Sequence, residues 1–425
     1  HDHGHDIESV PGGASAPELP PDVRGRFRLY ALGLAAVKIG IESINLVVPL
    51  LLISQLNSAA LVGVLFVAAD LAGMGGSLLG GWLSDRLRPS RLMMLTTLGQ
   101  AAAVAAMILL SGGAYAVPAV LALFTLNGAL SEVFGVARRA ALPVLVGRDE
   151  GTLRVYNGRA YLWRELAATG GVLVIGWLAQ NWGFAPALWL HPAFYLAAAF
   201  LFLRLAAGAG APLAAAAAAP RAPWKGLRAA SVELFRGARI VWKDPKLRLG
   251  LFVNGPVLAT HKLFHALVGT LFAAKVLGNP AYAALILGAW NLGELGAAWA
   301  LDRRGHAIST SAWLRFAAAA GLASWAFWLL PTLWAAVAVA CLMGVATLAS
   351  ELVLNSFFQS AAPERDQGVV NGFVYALGTA ASMAALLVIS VFFDLAGAST
   401  GFFVLALAFT VISGLYLHAA SALKK

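Results

Sequence analysis

The sequence lacks most of what a water-soluble domain needs. Only 12% of its 425 residues are charged, and Asp and Glu number 20 against 30 Lys and Arg. A chain that is 60% hydrophobic could not hide that much apolar surface in one soluble domain of this length. There is one cysteine, Cys341, inside an apolar run, so no intramolecular disulfide can form and redox compartment is left open. No phosphate-cradling glycine loop is present, which argues against ATP as the energy source. No nucleophile–base cluster stands out, so no enzyme is expected. The first residues, HDHGHDIESVPGG, have no apolar segment of the kind a signal peptide carries. His1, His3 and His5 either bind a metal or form an appended tail. The tail is the preferred reading, because the chain does not start at Met.

What is present is one apolar run after another, with a mean hydropathy of +0.78. Twelve candidate spans fall near 28–53, 58–83, 91–112, 116–138, 156–181, 186–206, 248–276, 280–301, 309–330, 332–356, 367–393 and 399–421. Each is long enough to cross a bilayer as a helix, the form in which a lone segment satisfies its own backbone in lipid. The long interruption, 207–246, opens as the low-complexity run GAGAPLAAAAAAPRAP. It continues with Leu227, Val232, Leu234, Phe235 and Ile240 set among basic residues. That pattern reads either as an amphipathic helix on an anionic membrane surface or as an ordinary basic linker helix.

Arginine and lysine alternate from loop to loop. Arg24, Arg26 and Arg28 precede span one, and Arg86, Arg88 and Arg91 follow span two. Arg138, Arg139, Arg148 and Arg154 surround the loop after span four. The linker, Arg303 and Arg304, Arg365, and Lys424 and Lys425 complete the series. The loops on the other side carry almost no positive charge, with Lys275 the exception. By the positive-inside rule both termini and the linker are cytoplasmic, in a multi-pass protein of the cell inner membrane. The formal charge of +10 then reflects topology and lipid contact, and nothing suggests nucleic acid.

The two halves repeat. GGWLSDR (80–86) matches AAWALDR (297–303), placing Asp85 over Asp302 at an offset of 217. LSEV (130–133) matches ASEL (349–352), placing Glu132 over Glu351. YNGRAY (156–161) matches VNGFVY (370–375), placing Asn157 over Asn371 and Tyr161 over Tyr375. Ordered matches at nearly one offset imply an all-α membrane protein of two pseudo-symmetric six-helix bundles. The expected divisions are a tail (1–24), a first bundle (25–206), a linker (207–246), and a second bundle with a short tail (247–425). Parallel repeats of this kind place a central site between them.

GGWLSDRLRPSR, its weaker copy ALDRRG between spans eight and nine, and the long central loop resemble the major facilitator superfamily over essentially the whole chain. ARRAALPVLV with YNGRAYLWRELAATGGVLVIGWLA is similar to its drug and siderophore exporter branch. The Gly-Pro motif of many antiporters is not intact: Gly170, Gly171 and Gly176 are present, but Val172 stands where proline is expected. The resemblance implies a rocking transporter in which Asp85 docks near the start of helix eleven and latches the outward-facing form. Arg86, Arg139, Asp302 and Arg303 join it as gating candidates.

Charge inside a span costs about 3 kcal/mol on insertion scales, so each instance needs a reason. Lys38, Glu42 and Asn45 share one face of helix one, where Lys38 and Glu42 can pair. Asp70 lies on helix two, Glu132 on helix four, and Tyr161, Arg164 and Glu165 on helix five. Helix seven carries His261 and His265 one turn apart, with Gly255 and Pro256 expected to kink it below them. Glu294 follows on helix eight, Glu351, Asn355 and Gln359 on helix ten, and Asn371 and Tyr375 on helix eleven. These residues form the candidate substrate and proton set. Six intraspan acids, set beside the bases Lys38, Arg159, Arg164 and Lys262, tilt the expectation toward a cationic cargo. The leading expectation is proton-coupled antiport and efflux of a small cationic or amphipathic solute by a monomer, with no cofactor beyond the proton gradient. A divalent transition-metal transporter using His261, His265 and Glu42 is the alternative. A non-transporting receptor or scaffold is the reading from another class.

Overall fold

The structure is a computed structural model describing residues 18–56, 59–113, 116–182, 184–208, 231–233, 235–279 and 282–423. The side chains of 42–66, of several residues between 172 and 187, and of 266, 270 and 284 lie outside that description. Glu42 and Asn45 are therefore placed only as positions on a helix. His1, His3 and His5 and most of the linker lie outside the described residues.

All regular structure among the described residues is helical. Six helices make the first half: α1 (Pro21–Leu56), α2 (Ala59–Ser84), α3 (Pro89–Leu110), α4 (Ala116–Val146), α5 (Glu150–Trp182) and α6 (Phe184–Ala207). A short helix, α7 (Arg236–Lys243), follows the linker. The second half holds α8 (Pro245–Leu263), α9 (Tyr282–Arg304), α10 (Thr310–Leu322), α11 (Leu333–Ala361), α12 (Gln367–Ala396) and α13 (Ala398–Ala422). Among the described residues six helical stretches are by themselves long and apolar enough to cross a membrane.

The helix ends follow from local chemistry. Pro89 and Pro245 sit in the first turns of α3 and α8, where a missing N–H costs nothing. The Asp244 carboxylate accepts from the N–H groups of Lys246 and Leu247, capping α8. Ser309 and Thr332 cap α10 and α11 in the same way. Between α12 and α13 the chain turns at Gly397, whose φ of 84° suits a residue without a Cβ.

Two helices differ from expectation. α4 continues through ARRAALPV to Val146, so Arg138 and Arg139 belong to the helix and not to the loop after it. α8 keeps its α-helical assignment through Gly255 and Pro256. Its irregularity comes later, as π-helical turns at Phe264–Val268 and Phe272–Val276, the first of which contains His265. Wide turns of this kind recur at functional positions.

In the first half α2 packs on α4, α3 on α4 and α6, and α1 on α5 and α6. Its core includes Phe27, Tyr30, Leu34, Met93, Phe124 and Phe202. In the second half α9 packs on α11, α10 on α13, and α8 on α12. Phe264, Trp290, Phe327 and Phe402 fill one cluster there, with Leu251, Phe357, Phe358 and Tyr416 in another. The outward faces are apolar, with Leu32, Leu71, Leu292, Leu387 and Val411 more than half exposed, as suits contact with lipid.

The halves meet along two seams, α2 against α12 and α5 against α9. On the first seam a Cβ at Gly81 would stand 2.5 Å from the Gly368 carbonyl oxygen, and one at Gly372 would stand 2.5 Å from that of Ser77. Only glycine lets two backbones approach so closely, the small-residue packing of membrane helices.

Candidate functional site

Between the halves lies a cavity of about 740 Å³ lined by charge from both sides. The first half contributes Lys38, Asp70, Glu132, Arg139, Arg164 and Glu165. The second contributes His261, Lys262, His265, Glu294 and Glu351, and Tyr161 and Tyr375 complete the polar lining. The structure thus gathers in one cavity most of the residues that the sequence marks as intramembrane polar groups.

Within it the charges are largely paired, which lowers the cost of holding them away from water. Lys38 Nζ lies 3.4 Å from Glu165 Oε1, and Arg164 reaches the same carboxylate at 3.7 Å. Arg164 and Glu165 therefore share a partner network despite their separation around the helix. Lys262 Nζ donates to Asp70 across the two halves at 3.5 Å. The Ser77 hydroxyl donates to Glu132 at 3.3 Å, and a Cβ at Gly73 would touch the Glu132 side chain. Arg139 lies over the Tyr375 ring, and not against Glu132; its Nε and Nη1 are buried without a hydrogen-bond partner. The Tyr375 hydroxyl donates to Asn355, which is buried behind the cavity wall.

The most concentrated group lies on α8 and α9. The His261 and His265 rings stack at 4.7 Å. His261 Nδ1 is 3.3 Å from Glu294 Oε1, and His265 Nε2 is 3.8 Å from the same oxygen. Glu294 is almost fully buried and is held by two donors, Trp290 Nε1 at 2.6 Å and the Tyr161 hydroxyl at 3.0 Å. Glu351 Oε2 stands 4.0 Å from His261 Nδ1. The sequence reading grouped His261 and His265 with Glu42, whose side chain lies outside the described residues. Among the described side chains the carboxylate facing both imidazoles is Glu294.

Below the cavity the end of the bundle bearing the basic loops is closed by ties between the halves. Asp85 accepts from the backbone N–H of Gly368 at 2.8 Å and of Val369 at 3.0 Å, at the N-terminus of α12. A carboxylate there meets unpaired N–H groups and the positive end of the helix dipole. Burial pushes the Asp85 carboxyl up to about 7, against these two donors and nearby Arg236, which hold it down. Asp302, its counterpart in the repeat, accepts instead from Arg159 Nε at 2.7 Å on α5. Arg86 stacks on Trp82 and approaches Glu233, while Arg303 is exposed.

Several residues that the sequence did not single out for gating complete this end. Gln359, fully buried, donates to the Arg139 carbonyl and accepts from Asn157. Arg148 donates to the carbonyls of Ser360 and Ala362, and Arg154 to that of Gly305. Arg236 on α7 pairs with Asp366 at 2.8 Å and lies 3.7 Å from Asp85. The repeat YNGRAY/VNGFVY, which contains Asn157, and the basic linker were the only hints in sequence.

Twelve spans in two six-helix halves around a central charged cavity are the architecture of a membrane transporter. The profile of the Major Facilitator Superfamily matches residues 30–386, and the chain belongs to that family. The human organic anion transporter MFSD10 (TETRAN) is similar in structure, with 19% identity, 95% of this chain and 99% of that chain covered, and a TM-score of 0.69. A bacterial homologue of the iron transporter ferroportin, in an outward-facing state, is 15% identical over 93% and 99% of the two chains, with a TM-score of 0.73. The proton:xylose symporter XylE, bound to 6-bromo-6-deoxy-D-glucose, is 13% identical over 94% of each chain, with a TM-score of 0.65. At these identities the likeness is one of fold. No curated protein matches the chain in sequence.

Proposed function

We propose that the protein is a secondary active transporter that moves a small cationic or amphipathic solute out of the cell in exchange for protons. The cavity is the binding site, and the halves rock about it. The observation that carries this reading is the cavity itself: acids and imidazoles of both halves line it, and inter-half ties seal it at the basic end. That end faces the cytoplasm by the positive-inside rule, so the form described is outward-facing, with both termini cytoplasmic in an inner membrane. The chain works as a monomer, and its bundles divide at 25–206 and 247–425. Asp85, Arg86, Arg139, Asp302 and Arg303 belong to the gate in this reading.

Glu132 and Glu351, related by the repeat, are the proposed proton carriers, because each half places one of them on the cavity wall. In proteoliposomes with an imposed pH gradient, Glu132→Gln and Glu351→Gln should each abolish uphill movement of ethidium, a cationic amphipathic dye. Downhill movement should survive. Uphill movement in both variants would make these acids structural. An anionic dye such as carboxyfluorescein is the control for the opposite cargo sign, since Lys38, Arg139 and Arg164 also reach the cavity.

A further inference from the structure

The cluster on α8 and α9 has a geometry that ordinary polar packing does not require. Three potential ligand atoms, one each from His261, His265 and Glu294, lie within 4.8 Å of one another. Ligands at about 2.0–2.2 Å from a tetrahedral ion stand roughly 3.3–3.5 Å apart. The His261–Glu294 pair, at 3.3 Å, already meets that spacing, and His265 at 3.8 Å is close to it. Both converging nitrogens, His261 Nδ1 and His265 Nε2, are buried from water and lack a hydrogen-bond partner among the described residues. Two buried imidazole nitrogens facing one carboxylate oxygen call for a positive charge between them, a proton or a metal ion.

The carboxylate is prepared for that role. Trp290 and Tyr161 each donate to Glu294, fixing its plane as outer hydrogen bonds fix metal-ligating carboxylates. The wide π-turn containing His265 sets the rotation between the two imidazoles. The cluster lines the central cavity, so a fourth position is open to water, with Glu351 only 4.0 Å from His261. Three protein ligands with an open fourth position hold an ion without sealing it in.

We propose that His261, His265 and Glu294 form a three-ligand site for a borderline divalent transition-metal ion such as Zn²⁺, Co²⁺ or Ni²⁺, carried as cargo. Tyr161 is its positioning residue. As cargo chemistry this rests on the transporter reading above, and it names the substrate class of the same cavity. Nitrogen-rich sites select these ions over hydrated Mg²⁺. The ligands all belong to the second half, whereas Tyr161 comes from α5 of the first. The Tyr161 hydroxyl thus ties the ligand set of the second half to the first.

The test is calorimetric titration of the purified full chain carrying His1→Ala, His3→Ala and His5→Ala, with Zn²⁺, Co²⁺ and Ni²⁺ in turn and Mg²⁺ as control. One ion of each transition metal should bind per chain, and Mg²⁺ should give no response. His261→Ala and Glu294→Gln should each weaken binding at least 100-fold. Tyr161→Phe should weaken it about tenfold while leaving the visible spectrum of bound Co²⁺ unchanged, which a general loss of structure would not do. If Glu294→Gln does not fold, that Co²⁺ spectrum in the otherwise unmutated chain reports nitrogen ligation directly. Absent binding, binding unchanged in His261→Ala, or a Co²⁺ spectrum without nitrogen ligands overturns the proposal. Because binding is read at equilibrium without a gradient, its failure leaves the alternating-access reading standing.

Discussion

Asp85→Asn should reduce transport to near background while leaving expression and cargo binding close to those of the unmutated chain. The Asp85 carboxylate serves two N–H donors at once, those of Gly368 and Val369. An amide can accept through its oxygen only, so its nitrogen would face a donor. Leaving one such buried donor unpaired costs about 1–3 kcal/mol, and the attraction to Arg236 and the helix dipole is lost with the charge. The cavity residues do not touch Asp85, so binding is spared. Transport at the unmutated rate in vesicles would refute the latch.

Gly81→Leu should shift the population toward the form open at the basic end, with the chain still folded. A Cβ at 81 would stand 2.5 Å from the Gly368 carbonyl oxygen and 3.1 Å from the Val369 Cα, and backbone cannot yield as a flexible side chain can. An overpacking cost of about 3 kcal/mol falls on the closed form alone, which corresponds to roughly a 100-fold shift toward the form open at the basic end. Protease or thiol accessibility of the loops at the basic end should rise accordingly, with thermal stability in detergent nearly unchanged. An unshifted accessibility would mean that α2 and α12 do not form the moving seam.

How much of this was legible in sequence divides along a physical line. Depth in the membrane can be read from 1.5 Å per residue, so the residues that line the cavity were found by their positions within spans. Asp85 was found because GGWLSDRLRPSR resembles the family's motif, and its repeat copy Asp302 is held by the Arg159 side chain and not by a helix end. Rotation about a helix axis cannot be read this way, because it depends on which neighbours pack where. Glu42, whose side chain lies outside the described residues, was grouped with the two histidines; among the described side chains the carboxylate that faces both imidazoles is Glu294 on α9. Pro256 suggested a kink, and the irregular turns fell beyond it, where no residue type announces a π-turn. Arg236 read as one basic residue of a linker that was either a membrane-surface helix or an ordinary linker helix. Its contacts with Asp85 and Asp366 depend on α7 lying across the start of α12, a placement made by tertiary packing of Gly237 against Val369.

The central claim is that one cavity opens to alternate sides of the membrane. It is tested most directly by a single thiol placed on the cavity wall, Thr379→Cys in a Cys341→Ala background, with sidedness read by an impermeant maleimide in oriented vesicles. The account predicts labelling from the side opposite the basic end in the otherwise unmutated chain, and labelling from the basic side once Gly81→Leu is added. Equal labelling from both sides in the first chain, or labelling from the same side in both chains, would contradict it.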